Sequence, residues 1–163
     1  MERINRYKDI NGIPERCNLI DELNLYCIVQ PLERPRIGKG GQFYTPRDNQ
    51  LNLYREVNYY ARTKSKLIDF PVIVDCFFFF KFKTSEKKFP TDNAYGDTDN
   101  LVKAIYDALS PSSKVLKNST IERKIISDDR LIIGGENFKL FDIPDEEGNS
   151  ENYAVIKIYG VKL

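Results

Sequence analysis

The chain has 163 residues, with 25 lysines and arginines against 24 aspartates and glutamates, a net charge of +1, and no histidine. Without an imidazole, Ser-His and Cys-His catalysis, His-ligated zinc and any nuclease with a histidine general base are excluded. Cys17, Cys27 and Cys76 form no CxxC pair, and an odd, widely spaced set suits reduced intracellular thiols, which leaves carboxylates and a metal as the available chemistry.

A chain of this length fits one domain that buries roughly two thirds of its unfolded surface. The start, Met1-Glu2-Arg3-Ile4-Asn5-Arg6, is charged, and the longest apolar run is only Cys76 to Phe80, between Asp75 and Lys81. Neither a signal peptide nor a membrane span is expected, and the expected location is cytoplasmic.

In chain order, residues 1–22 show no clear periodicity and read as an N-terminal arm, ahead of a domain over residues 23–163. Leu23 to Gln30 is a short β-prone run stopped by Pro31. Pro31 to Thr45, with Pro35, Gly38, Gly40 and Gly41, reads as a loop. Its Gly38-Lys39-Gly40-Gly41 is a flexible basic stretch without the Gly-Lys-Ser/Thr of a P-loop. Arg47 to Lys66 spaces Leu51, Tyr54, Val57 and Ala61 as a helix does.

Phe70 to Phe82 is the strongest predicted strand. Its phenylalanines could form a stacking platform for unpaired bases, but a strand apolar on both faces more simply belongs in the core or at a dimer contact. Cys27 and Cys76 read as small core residues of strands. Asp99 to Leu109 sets Leu101, Val102, Ile105, Ala108 and Leu109 on one helical face. Leu131 to Phe141 and Tyr153 to Leu163 are two further strands, separated by the acidic turn Pro144 to Asn149, and the order is β-α-β-α-β-β.

The chemistry concentrates in Asp97-Thr98-Asp99-Asn100-Leu101-Val102-Lys103, then Asp107-Ala108-Leu109, then Asp128-Asp129. Two carboxylates about 4 Å apart repel by roughly 4 kcal/mol at an effective dielectric of about 20, so a fold that gathers them needs a cation. Mg²⁺, with Mn²⁺ as a substitute, takes oxygen ligands from one or two carboxylates and phosphate oxygens besides, which points to phosphodiester chemistry.

If the chain enters the second helix extended, Asp97 and Asp99 point to the same side and converge on one ion. The plainer reading is that Asp99 or Asn100 caps the helix. Asp128 and Asp129 precede a strand, where neighbours face opposite ways; one is a direct ligand, and residue pattern alone does not choose. Lys103 is either an i,i+4 partner of Asp99 and Asp107, worth a few tenths of a kcal/mol, or a point charge on the scissile phosphate.

Charge is unevenly spread. Residues 33–66 hold eight bases against three acids, while residues 142–151 hold five acids and no base. Folding the first region beside the acidic cluster makes a basic groove despite the neutral total, with Arg34, Arg36, Lys39, Arg47 and Lys103 as candidate DNA contacts.

The run Asp97-x-Asp99-Asn100-Leu101-x-Lys103, with Asp107-Ala108-Leu109 and Asp128-Asp129 following in order, resembles the RusA family of Holliday junction resolvases. Arg34-Pro35-Arg36 and Tyr44-Thr45-Pro46 are similar to its upstream Pro-Arg-Pro-Arg and Tyr-Thr-Pro stretch, so the resemblance spans roughly residues 23–163. It implies an α+β fold: a single two-layer domain with a mixed β-sheet and two main helices, assembled as a homodimer. It further implies a Mg²⁺-dependent endonuclease of DNA recombination and repair that cuts four-way junctions by paired symmetric nicks, with branched DNA as partner and neither a membrane nor a small-molecule cofactor involved.

Carried over by position, the family's essential acids fall on Asp97, Asp99 and Asp129, with Asp128 as the alternative metal ligand, and its essential lysine falls on Lys103. The chain departs from the family in two places. Asn93-Ala94-Tyr95-Gly96 stands where basic residues often precede the first aspartate, and the stretch from Leu109 to Asp128 is longer than usual. The competing readings are a non-catalytic protein that binds branched DNA and a metal-dependent nuclease acting on another DNA structure.

Overall fold

The computed structural model describes residues 15–27, 29, 36–37, 40, 43–44, 48–63, 66–82, 88–91, 95–112 and 123–162. Strand β1 covers Glu15–Leu25, β2 Arg36–Ile37, β3 Phe43–Tyr44 and helix α1 Asp48–Thr63. Strand β4, Val72–Lys81, leads to helix α2, Thr98–Leu109, and a 3-10 turn at Asp129–Leu131 opens β5, Ile132–Gly134. Strands β6, Asn137–Asp142, and β7, Tyr153–Lys162, complete the chain.

The phenylalanine-rich β4 lies inside the main sheet because it is apolar on both sides. One edge pairs antiparallel with β7, which pairs antiparallel with β1; the other edge pairs parallel with β5 and then β6. The result is a mixed sheet in an α+β domain. Val72, Val74, Cys76, Phe78 and Phe80 of β4 join Leu53, Val57 and Ala61 of α1 and Leu101, Ile105, Ala108 and Leu109 of α2 in one buried cluster. Burying each large apolar side chain contributes about 1.5–3 kcal/mol, against about 1 kcal/mol for a helix cap. Packing therefore holds α2, whose N-cap residue Asp97 makes no side-chain cap bond.

The alternate residues of β4 point to the other face, where Phe77 stacks on Phe138 with ring centroids 5.9 Å apart and Phe79 on Tyr153 at 4.5 Å. Phe138 remains 48% exposed.

Four differences from the sequence reading have physical causes. The first strand starts at Glu15, within the stretch read as an arm, and not at Leu23. Exposure of residues 15–20 and register shifts on either side of Leu19 erase the period-two pattern that would reveal it. The same strand ends at Leu25, not Gln30. The backbone N–H groups of Tyr26 and Cys27 donate to the two carboxylate oxygens of Glu56 on α1, at 2.7 and 2.9 Å, and so leave the sheet ladder. Cys27 consequently lies beyond the strand and half-buried, while Cys76 is in the core.

Third, the predicted loop from Pro31 to Thr45 contains a small antiparallel pair, with Arg36 opposite Tyr44 and Ile37 opposite Phe43. Fourth, the predicted strand from Leu131 to Phe141 is interrupted at Gly135-Glu136. There the backbone passes so close to β4 that a Cβ on Gly135 would sit 1.8 Å from the Val74 carbonyl oxygen. Pairing resumes as the Cys76 N–H donates to the Glu136 carbonyl at 2.8 Å. The Glu136 N–H donates to Asp75 Oδ1 at 2.8 Å, a side chain standing in for a ladder carbonyl.

The long stretch after α2 is closed at its base. The Leu109 carbonyl accepts from both Ile125 and Ile126, at 3.0 and 3.1 Å, and Ile68 brackets the same point through bonds to Ile125 and Ser127 at 2.8 and 2.9 Å. Among the described residues, no helix is long and apolar enough to cross a membrane.

Candidate active site

The entry to α2 is fixed from three sides. Tyr95 packs against Phe80 and Phe141, with ring centroids 4.9 and 5.7 Å away. Gly96 takes a left-handed φ of +70°, a conformation that favours glycine. Lys139 Nζ on β6 donates to the Gly96 carbonyl at 2.7 Å. Asp97 follows as the N-cap, in extended conformation, its carbonyl accepting from Leu101 at 3.1 Å.

The helix therefore begins one residue earlier than the sequence suggests. Asp99 is neither the cap nor part of an extended pair with Asp97; it stands in the first turn. From there Asp99, Lys103 and Asp107 recur every four residues along one face, away from the buried Leu101, Ile105 and Ala108. Asp99, Lys103 and Asp107 line a cleft of about 450 Å³ together with Thr98, Val102, Tyr106, Asp129 and Asn137. Two carboxylates and a lysine from one helix thus meet an aspartate that lies far along the chain. Asp97, exposed at the cap, is not part of that lining.

The acidic pair divides its labour. Asp128 caps the 3-10 turn: Oδ1 accepts from the Arg130 N–H at 2.9 Å and from Nε at 2.8 Å, and Oδ2 accepts from Nη2 at 2.7 Å. Those Arg130 contacts hold the Asp128 carboxyl well below the usual carboxylate range. Asp129 is the member that lines the cleft.

Electrostatics within the cleft are unbalanced. Burial pushes the Asp107 carboxyl above its ordinary range; Lys103 opposes the rise and Asp129 adds to it. The ion pairs formed among the described residues join Arg16 to Asp75 and Glu136, Arg130 to Asp128 and Lys157 to Glu22, and none involves Lys103. The donors present are hard oxygens, and one of them, Asn137 Oδ1, is sealed from solvent without a hydrogen-bond partner among the described residues. By donor type this set suits a hard divalent cation. Among the described residues, no three carboxylates stand close enough to chelate an ion as they are placed.

Of the candidate DNA contacts, Arg34, Lys39 and Arg47 lie outside the described residues, and Arg36 is placed on β2 by its backbone. The residues that sequence reasoning missed are Asn137, Lys139 and, as a cleft residue, Asp107. Asp107 was within reach, since it continues the four-residue spacing of Asp99 and Lys103. Asn137 and Lys139 carry no local signal, because only the β4–β6 pairing brings them to α2.

The family model described as Endodeoxyribonuclease RusA matches residues 29–142. No curated protein matches the chain.

Proposed function

Because this chain belongs to the RusA endodeoxyribonuclease family, we propose that it acts on four-way DNA junctions as a Mg²⁺-dependent homodimer, resolving them by paired symmetric nicks. The observation that carries the reading is the shared cleft: Asp99, Lys103 and Asp107 from α2 face Asp129 across about thirty residues of sequence.

Asp99 and Asp129, which line the cleft, together with Asp97, which caps the helix outside that lining, are the residues that would hold the divalent ion, Mg²⁺ or Mn²⁺ in its place. When bound, such an ion neutralises phosphate charge and lowers the pKa of water. Lys103, outside the ion pairs of the described residues, offers its ammonium to the phosphate and offsets negative charge as it accumulates during attack. The positive end of α2 adds to the same field. Asp128, occupied by Arg130, keeps the turn in shape so that Asp129 stays at the cleft. Binding itself rests on basic side chains, Arg34, Arg36, Lys39 and Arg47 in our assignment, and weakens with salt as counterions compete for phosphate.

A homodimer suits this substrate, since a two-fold axis sets two equivalent clefts on two like strands. The aromatic face opposite the helices, with Phe138 half exposed over Phe77, is the surface we assign to the second copy.

The test is incubation of the purified chain with an end-labelled four-way junction, with and without Mg²⁺. Symmetric nicks that require the ion are expected. Retarded but uncut junction under all conditions would mean that the chain binds branched DNA without cleaving it.

A further inference from the structure

Asn137 is the first residue of β6, held opposite Cys76 by the parallel register of β4 and β6. That register is set immediately upstream, where Gly135 lets the backbone approach Val74 and Asp75 accepts the Glu136 N–H. The fold thus spends a glycine and a buried carboxylate on fixing where Asn137 stands. It stands in the wall of the cleft that holds Asp99, Lys103, Asp107 and Asp129.

Asn137 Oδ1 is the one side-chain nitrogen or oxygen among the described residues that is sealed from solvent and lacks a hydrogen-bond partner. Native chains satisfy nearly all such atoms, and each exception calls for a cause, an ion being one. Across the register from this side of β6 stand the buried Cys76 and Phe78 of β4, so packing alone does not call for an amide there. An amide oxygen is also the donor that a crowded acidic pocket lacks: it adds a ligand for a hard cation without adding a charge that repels the aspartates.

We propose that Asn137 is a further ligand of the divalent ion, its side-chain oxygen giving a neutral donor beside Asp99 and Asp129. The proposal rests on the reading of the cleft as a divalent-metal site.

The experiment is calorimetric titration of Mn²⁺ into the DNA-free full chain, for wild type, Asp129→Asn, Asn137→Leu and Asn137→Asp, with melting temperatures of each metal-free protein. Asn137→Leu is expected to weaken Mn²⁺ binding by about tenfold to a hundredfold while melting at or above the wild-type temperature, because a partnerless buried oxygen has been removed. Asn137→Asp, which restores an oxygen at the same position, is expected to retain Mn²⁺ binding. If Asn137→Leu destabilises the protein so far that it cannot be titrated, Asn137→Ala carries the same comparison.

Wild-type Mn²⁺ affinity in Asn137→Leu, alongside its loss in Asp129→Asn, overturns the proposal and leaves the metal site standing. Absence of Mn²⁺ binding in the wild type removes the metal site and the proposal together.

Discussion

Arg16 grips Asp75 through two parallel hydrogen bonds, Nε to Oδ2 at 3.0 Å and Nη2 to Oδ1 at 2.9 Å. The Asp75 side chain, 5% exposed, is a carboxylate in the middle of the phenylalanine strand, and Arg16, 36% exposed, reaches it from β1 across β7. The same guanidinium lies over the Tyr159 ring, 5.9 Å from its centroid, and 3.3 Å from Glu136. Removing one partner of such a pair strands a buried charge, at about 3–5 kcal/mol for a fully buried case. With Arg16 partly solvated, Arg16→Ala should lower stability by about 2–3 kcal/mol, measured by urea unfolding. A change below about 0.5 kcal/mol would place Asp75 in water in solution.

The two adjacent aspartates should part company under mutation. Asp129→Asn is expected to abolish junction nicking while leaving junction retardation intact. Asp128→Asn, which keeps an oxygen for the Arg130 backbone but weakens its fork, is expected to retain nicking at a rate within about tenfold of wild type. Equal loss in both variants in a cleavage time course would show that the pair acts as one unit.

Lys103→Ala should reduce the single-turnover nicking rate by about a hundredfold to a thousandfold, the usual effect of deleting one charge-stabilising group, with a much smaller loss in binding. A surface ion-pair role predicts a different outcome. In that case nicking is unchanged and stability falls by only a few tenths of a kcal/mol.

The three thiols should differ in reactivity. Cys17 is exposed, whereas burial and a Glu56 hydrogen bond push the Cys27 thiol up to about 12, and burial raises Cys76 as well. Thiolate is the reactive form, so at pH 8 the folded chain should take up one equivalent of iodoacetamide quickly and three in denaturant. Raising the pH toward 10 should not bring Cys27 into reaction, because its thiol is still protonated there. Rapid uptake of two or three equivalents by the folded chain at pH 8 would contradict this placement.

Phe138→Glu is expected to convert a dimer to a monomer in sedimentation velocity, with little change in melting temperature, since the side chain is already half exposed. An unaltered dimer would move the contact to another surface.

How much of this was legible in the chain depends on whether the signal was local. Helix α2 reads directly, because Leu101, Val102, Ile105, Ala108 and Leu109 repeat at helical spacing and all are buried. Strand β4 reads equally well, its β-branched and aromatic run leaving few other possibilities. The closeness of Asp99, Lys103 and Asp107 also follows from helical repeat alone. By contrast β1 is an edge strand, exposed over its first half and shifted in register, so no alternation marks it. The interruption at Gly135 reflects a close approach to Val74, sixty-one positions earlier in the chain. Asn137 could not be singled out for the same reason: its meaning comes from the strand beside it. That Asp129 lines the cleft while Asp128 is taken up by Arg130 is visible only once the turn is folded.

The hydrogen bonds that tie Ile125 and Ile126 to the Leu109 carbonyl make residues 110–124 a side road whose two ends share one junction. A tie at that point separates the spacing of Asp107 and Asp129 from the number of residues strung between the two ends, so an insertion there is expected to leave the cleft as it is.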